Sequence, residues 1–294
     1  MNTVNVDQPV RRTSTFAIGG DLTVHRLGLG TMQLTGPGTW GPPRDRAEAI
    51  RVLRQAVELG VDFIDTADSY GPYVVEDLIR EALHPYPDGL VIATKGGLAR
   101  RGPAARDEGW PAIGRPDYLR HCVVTSLQRL GVDTIDLYHL HRVDPQVPIE
   151  DSLGELATLR QEGKIRHIGV SEVSLDVLRQ AQAVTPIATV QNRYNLVVRH
   201  HDPVVEYCER EGIGFIPWFP LESGDLTTSG GTIARLAEKH QCTRAQLAIS
   251  WLLARSPVML PIPGTASTGH LTENLTAGSV VLTDEDVELL TRLS

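Results

Sequence analysis

Eight short apolar, β-branched runs recur along the chain, each followed by a stretch of helical period. They are RLGLGTM from Arg26, VDFIDT from Val61, LVIATK from Leu90, TIDLYHLH from Thr134, IRHIGV from Ile165, IATVQN from Ile187, GIGFIPW from Gly212 and VMLPIP from Val258. Continuous apolar strands separated by helices imply a parallel sheet, since parallel neighbours need crossover connections that cover the sheet. The helices carry their own punctuation. Asp45, Pro116 and Thr243 open three of them, while Gly60, Gly131, Gly163 and Gly212 stand just past the ends of four. Glycine is favoured there because the closing residue takes a left-handed backbone.

Eight such units close a (β/α)8 TIM barrel without remainder, so the expected fold class is α/β with that barrel. The 294 residues suit one domain over 1–294, with 1–13 flexible. FAIGGDLTVHRL reads as an N-terminal β-hairpin that plugs the N-terminal end of the barrel, and TDEDVELLTRLS as one of the extra C-terminal helices. A doubly wound nucleotide-binding sheet is rejected: Gly28-Leu29-Gly30 has no third glycine before a helix. The longest irregular stretches, Gly97–Arg115 and Leu221–Gly231, follow strands, which places both at the catalytic face.

Charge and targeting signals narrow the function. A net charge of −8 argues against a nucleic-acid partner. Arg100, Arg101 and Arg106 read as a solvated basic loop. The N-terminal residues lack the apolar core of a signal peptide, and no apolar run is long enough for a membrane span. Cys122, Cys208 and Cys242 are scattered, without metal-ligand spacing, as suits a reducing cytoplasm. No metal site is expected, and oligomeric state is not legible.

In a barrel of this kind the chemistry lies at the C-terminal ends of the strands. The second strand ends in Asp65 with Tyr70 shortly after, the third in Lys95 and the fourth in His141. A carboxylate, a phenol, an ammonium and an imidazole on one rim suit proton transfer to a carbonyl oxygen. Tyr70 would donate the proton, Lys95 would lower the phenol's pKa, Asp65 would hold Lys95, and His141 would orient the carbonyl. No side chain supplies a hydride, which calls for a nicotinamide. Each residue has a plainer reading alone: Asp65 as a turn cap, Lys95 as a rim lysine. His139 and His141 point to the same side of one strand, and His139 is assigned to structure. Trp40 and Trp110 are candidates for the substrate pocket, with packing as the alternative.

The segments FIDTADSYG, ATKGG, DLYHLHR, KIRHIGVSEV, VQNRYN and PIPGT, in this order, resemble the signatures of the aldo-keto reductase family, with bacterial pyridoxal-reductase-like members nearest in flavour. The resemblance implies the tetrad Asp65, Tyr70, Lys95 and His141 and a cofactor bound in extended form. It places Thr31 and Met32 near the nicotinamide ribose, Ser171 and Gln191 at the carboxamide, and Trp218 stacked on the ring. Leu221, Ser223, Gly224 and Leu226 would fold over the pyrophosphate; Thr265, His270, Glu273 and Asn274 would form the adenosine-phosphate site. Glu172 stands where the family usually has Asn and cannot donate as an amide does. Gly264 and His270 replace a lysine and an arginine. The expected cofactor is NADP(H), with NADH weaker, held by the helix N-terminus near Thr268. The resemblance thus implies an NADPH-dependent reduction of a small aldehyde or ketone. A dehydrogenase working oxidatively and a cofactor-sensing regulatory barrel are the alternatives.

Overall fold

A polar turn, Gly19-Gly20-Asp21, separates two short strands near the start of the chain. In the computed structural model, which describes residues 8–103, 110–220 and 231–293, these are β1 (Thr15–Ile18) and β2 (Leu22–His25), paired antiparallel as the sequence suggests. The two glycines take positive φ, 63° and 88°, a region open to them because they lack Cβ. The hairpin buries Ile18, Leu22 and Val24 against Phe63 and Val91, which open the second and third strands of the main sheet. It therefore covers the N-terminal ends of the strands and leaves the C-terminal ends open.

The main sheet has seven parallel strands in sequence order: β3 (Leu29–Gly30), β4 (Phe63–Asp65), β5 (Val91–Gly96), β6 (Ile135–Leu140), β7 (Ile165–Ser171), β8 (Thr189–Arg193) and β9 (Gly214–Trp218). The eighth run, VMLPIP, does not join as a ladder strand, which corrects the expectation of eight. Pro261 and Pro263 have no N–H to give to a ladder. The run instead makes single contacts with both edges. The Phe215 N–H donates to Val258 at 2.8 Å, the Leu260 N–H to Phe215 at 2.8 Å, and the Gly28 N–H to Pro261 at 3.0 Å. Isolated bridges join Gly30 to Gly264 and Phe215 to Met259. A Cβ on Gly30 would lie 2.6 Å from the Ile262 carbonyl oxygen, so this closeness demands glycine.

Ten helices are described: α1 (Arg46–Glu58), α2 (Val74–Leu83), α3 (Pro116–Leu130), α4 (Ile149–Gln161), α5 (Leu175–Val184), α6 (Asp202–Glu211), α7 (Thr232–Lys239), α8 (Arg244–Arg255), α9 (Thr268–Thr276) and α10 (Asp284–Thr291). The predicted caps form. Asp45 accepts from the Glu48 N–H, and Thr243 and Gln246 make a reciprocal capping box. Gly131 and Gly212 follow α3 and α6 in the left-handed conformation. The apolar faces of α3 to α6 share a core with β6 to β9, while α1, α2 and α9 pack around β3 and β4. Residues 9–12 depart from the expected flexible tail: Pro9–Arg12 is a 3-10 turn, and Val10 is buried in the second of these cores. Among the described residues no helix is long and apolar enough to cross a membrane.

Candidate active site

Strand ends bring the four predicted catalytic side chains together. Asp65 closes β4, Lys95 lies in β5, and His141 follows β6 directly. Tyr70 sits on the short loop after β4, which backbone bonds tie down: the Asp68 N–H donates to the Lys95 carbonyl at 3.1 Å, and the Tyr73 N–H to the Asp68 carbonyl at 2.7 Å. Lys95 Nζ donates to Asp65 Oδ1 at 2.6 Å and to the Thr66 carbonyl at 2.8 Å. The same ammonium lies 5.3 Å from the centre of the Tyr70 ring. The Tyr70 and His141 rings meet edge to face, with centroids 6.2 Å apart.

Burial sets the electrostatics. Lys95 is fully buried; burial pulls its pKa down, but the Asp65 carboxylate and Tyr70 outweigh that and hold it above the ordinary value. Burial also lifts the Asp65 carboxyl, against the pull of Lys95 and Gln191. With two donors on its oxygens and the lysine held charged, we describe the pair as ammonium–carboxylate. Lys95 does pull the pKa of the Tyr70 phenol down, but burial pushes harder the other way and Asp65 adds to the rise, so the net shift is upward rather than the expected downward one. His141 is held well below its ordinary value by burial, then by Lys95, Arg142 and His139, and is a neutral imidazole at pH 7. Its Nδ1 lies 3.3 Å from Ser69 Oγ. His139 is buried one layer deeper, with Nε2 2.9 Å from Thr189 Oγ1, in keeping with the structural role assigned to it.

These groups open onto a cavity of about 670 Å³. Its wall includes Tyr70 and His141 together with the predicted cofactor residues Thr31, Met32, Ser171, Gln191 and Trp218. Thr31 donates its hydroxyl to the Asp65 carbonyl at 2.9 Å. Gln191 Nε2 donates to Asp65 Oδ2 at 2.9 Å, a contact between two distant strands that no motif spacing announces. Trp110 and Leu98 also line it, whereas Trp40, the other candidate for the substrate pocket, is not among the lining residues. Thr265 and Asn274 are buried, and His270 is exposed on α9. Leu221, Ser223, Gly224 and Leu226 lie outside the described residues.

Several contributors were not singled out by the sequence. Arg100, read as part of a solvated basic loop, is sandwiched between aromatic rings, 3.9 Å from Trp110 and 5.5 Å from Trp40. It donates to the carbonyls of Thr39 at 2.6 Å, Gly38 at 2.8 Å and Ser69 at 3.4 Å. Arg142, next to His141, lines the cavity and donates through Nη1 to the His141 carbonyl at 2.6 Å and to Ser171 Oγ at 3.0 Å. Its place beside a strand-end histidine was the available signal. Glu172 takes a left-handed backbone, φ 56°, which asparagine tolerates better than glutamate. Its Oε1 accepts from Trp218 Nε1 at 2.5 Å and from the Arg193 N–H at 2.6 Å. The start of α9 is less open than expected. Glu48 Oε1 accepts from both the N–H and the hydroxyl of Thr268, each at 2.9 Å, and the Ser267 N–H donates to Thr265 Oγ1 at 3.1 Å. A carboxylate takes these donors because the positive end of the helix attracts it as it would a phosphate.

With that geometry in hand, the model of the aldo/keto reductase family matches residues 26–294. The chain belongs to this family and is an oxidoreductase. An uncharacterised oxidoreductase of Schizosaccharomyces pombe is 49% identical over 90% of this chain and 85% of its own length. Pyridoxine 4-dehydrogenase of Escherichia coli is 42% identical over 96% of this chain and 99% of its own. Among solved structures, an aldo/keto reductase of Klebsiella pneumoniae in complex with NADP and acetate superimposes with a TM-score of 0.79, at 26% identity over 96% of this chain and 95% of that one.

Proposed function

We propose that this enzyme reduces an aldehyde or ketone to the alcohol with NADPH, Tyr70 acting as the general acid. The observation that carries the reading is the single cavity in which Tyr70 and His141 share a wall with Ser171, Gln191 and Trp218. A bound nicotinamide supplies the hydride. The chain's own residues do the rest. Tyr70 gives its proton to the carbonyl oxygen as charge builds there, and the buried Lys95 ammonium, kept charged by Asp65, stabilises the phenolate left behind. His141 is neutral, and in the tautomer in which Ser69 donates to its Nδ1, its Nε2–H donates to the substrate oxygen.

The same residues fit the cofactor. Trp218 offers a flat indole face, Ser171 and Gln191 offer polar groups beside it, and the backbone of Thr31 and Met32 borders the ribose. Thr265, His270, Glu273 and Asn274 would receive the adenosine phosphate; Leu221, Ser223, Gly224 and Leu226, assigned to the pyrophosphate by the family resemblance, lie outside the described residues. NADH binds the same site more weakly. This reading takes Val258–Gly264 as the eighth stave of a closed barrel, a view supported by its bonds to both edges of the sheet.

The first substrate to test is a flat aromatic aldehyde of the pyridoxal type. The full-length likeness to pyridoxine 4-dehydrogenase supports it, as does the presence of Trp110 and Trp218 in the cavity lining. That relative's name also favours the reverse oxidation of the corresponding alcohol as a second reading. A carbonyl and alcohol panel followed by cofactor absorbance decides the direction. Tyr70→Phe should lower the productive rate by ~10²–10⁴-fold with cofactor binding little changed. A variant retaining a third of the native rate removes Tyr70 from its role, and absence of turnover with any carbonyl favours a cofactor-sensing protein.

A further inference from the structure

Hydrogen-bond polarity around Ser171 defines what the adjoining wall can hold. Ser171 Oγ accepts from Arg142 Nη1, so its own O–H is left to donate outward. Gln191 commits Nε2 to Asp65, so Oε1 is left as an acceptor. Arg142 spends only Nη1 on protein partners among the described residues, and Nη2 and Nε make no bond to them. All three residues line the same cavity. The wall therefore presents two donors beside one acceptor, the complement of a primary carboxamide, whose oxygen accepts and whose NH₂ donates.

Glu172 completes the arrangement from behind. Its carboxylate accepts from the indole N–H of Trp218 at 2.5 Å, and its charge partly offsets the burial that lowers the Arg142 pKa. The guanidinium carbon lies 5.9 Å from the Trp218 ring. An asparagine at this position would serve the carboxamide through one side chain. Here the labour is divided: a cation donates, and an anion holds the stacking ring and offsets that cation.

We infer that Arg142 donates a hydrogen bond to the carboxamide oxygen of the bound nicotinamide, with Glu172 as the positioning residue that locks Trp218 and balances the Arg142 charge. The inference rests on the nicotinamide cofactor proposed above and adds two residues to its site.

Binding measurements separate it from that reading. Three probes are titrated by calorimetry: NADPH; 2′-phospho-ADP-ribose, which lacks the nicotinamide; and the nicotinic-acid analogue of NADP, which carries a carboxylate in place of the amide. In Arg142→Met the Kd for NADPH should rise roughly tenfold, as for loss of a charge-assisted bond. The carboxylate analogue should lose more than NADPH, and 2′-phospho-ADP-ribose should stay within about twofold. Equal weakening of all three probes, or an unchanged Kd for NADPH, overturns the assignment. Glu172→Gln keeps an acceptor for the indole and removes the charge. It should preserve the quench of tryptophan fluorescence on cofactor binding while raising the Kd for NADP⁺ several-fold more than that for NADPH, because a cationic ring loses its counter-charge. Glu172→Ala should lose most of the quench. If Glu172→Gln loses it equally, or leaves the NADP⁺ to NADPH ratio unmoved, the role of Glu172 falls. A native protein that binds neither NADPH nor NADH instead refutes the cofactor reading itself.

Discussion

Gln191 donates its side-chain amide to Asp65 Oδ2 across 2.9 Å, while Lys95 donates to the other oxygen of the same carboxylate. One buried carboxylate thus joins Gln191 of the cavity wall to the buried Lys95. Gln191→Leu deletes one of the two side-chain donors and buries apolar surface against Asp65. We expect weaker NADPH binding together with a lower kcat, each by about tenfold, since a buried acceptor is left short of a partner. Steady-state kinetics with fluorescence titration checks this; a change confined to KM would mean that the two halves of the site work separately.

On the function proposed above, Lys95 acts through Tyr70. Lys95→Met should therefore cost turnover on the same scale as Tyr70→Phe, and the double variant should be little worse than either single one. Single-turnover rates of the three proteins form the test. Losses that multiply in full would show that Lys95 works on the substrate directly.

Behind the tetrad, Asp68 is buried with Glu76, and burial and then that second carboxylate raise its pKa to about 7, against the weaker pull of the Cys122 thiol and Arg129. Unfolded, the group titrates near ~3.9. The folded state thus holds the extra proton between these values. The sign follows: this residue's contribution is most favourable below pH ~4 and declines as pH climbs to about 7, then levels off. Between pH 5 and pH 8 the native protein should lose about 2–3 kcal/mol more than Asp68→Asn, in which nothing titrates. Urea unfolding at the two pH values measures the difference, and parallel behaviour of the two proteins would rule out the protonated Asp68.

The Glu48 carboxylate at the start of α9 competes for the donors that a 2′-phosphate would use. Glu48→Gln removes that charge, so the ratio of NADH to NADPH dissociation constants should rise by about threefold to tenfold in favour of NADPH. An unaltered ratio would place the phosphate elsewhere.

The tetrad was legible in sequence because strand ends are marked by composition, and a barrel places every strand end on one rim. Seven of the eight strand runs became ladder strands for the same reason; the eighth carried two prolines whose missing N–H groups the apolar pattern alone does not weigh. What stayed hidden depends on contacts between distant segments. Arg100 looked like part of a charged loop, and only the fold brings two indoles to it. Glu172 looked like an amide lost, and only the fold, which brings its side chain at the end of β7 across β8 to the end of β9, turns it into an acceptor for Trp218. The direction of the Tyr70 shift was hidden too, because the depth of burial that outweighs Lys95 is a property of the packed site.

Arg100 grips three carbonyls, two on the segment before Trp40 and one at Ser69, the residue just before Tyr70, while its guanidinium is held between Trp110 and Trp40. The cavity wall at Trp110 and the loop that carries Tyr70 are therefore tied together by one side chain. On the function proposed above, a substitution at Trp110 that admits a different carbonyl would also disturb, through Arg100, the seating of the loop that carries Tyr70, so a change of substrate range would be felt in turnover as well.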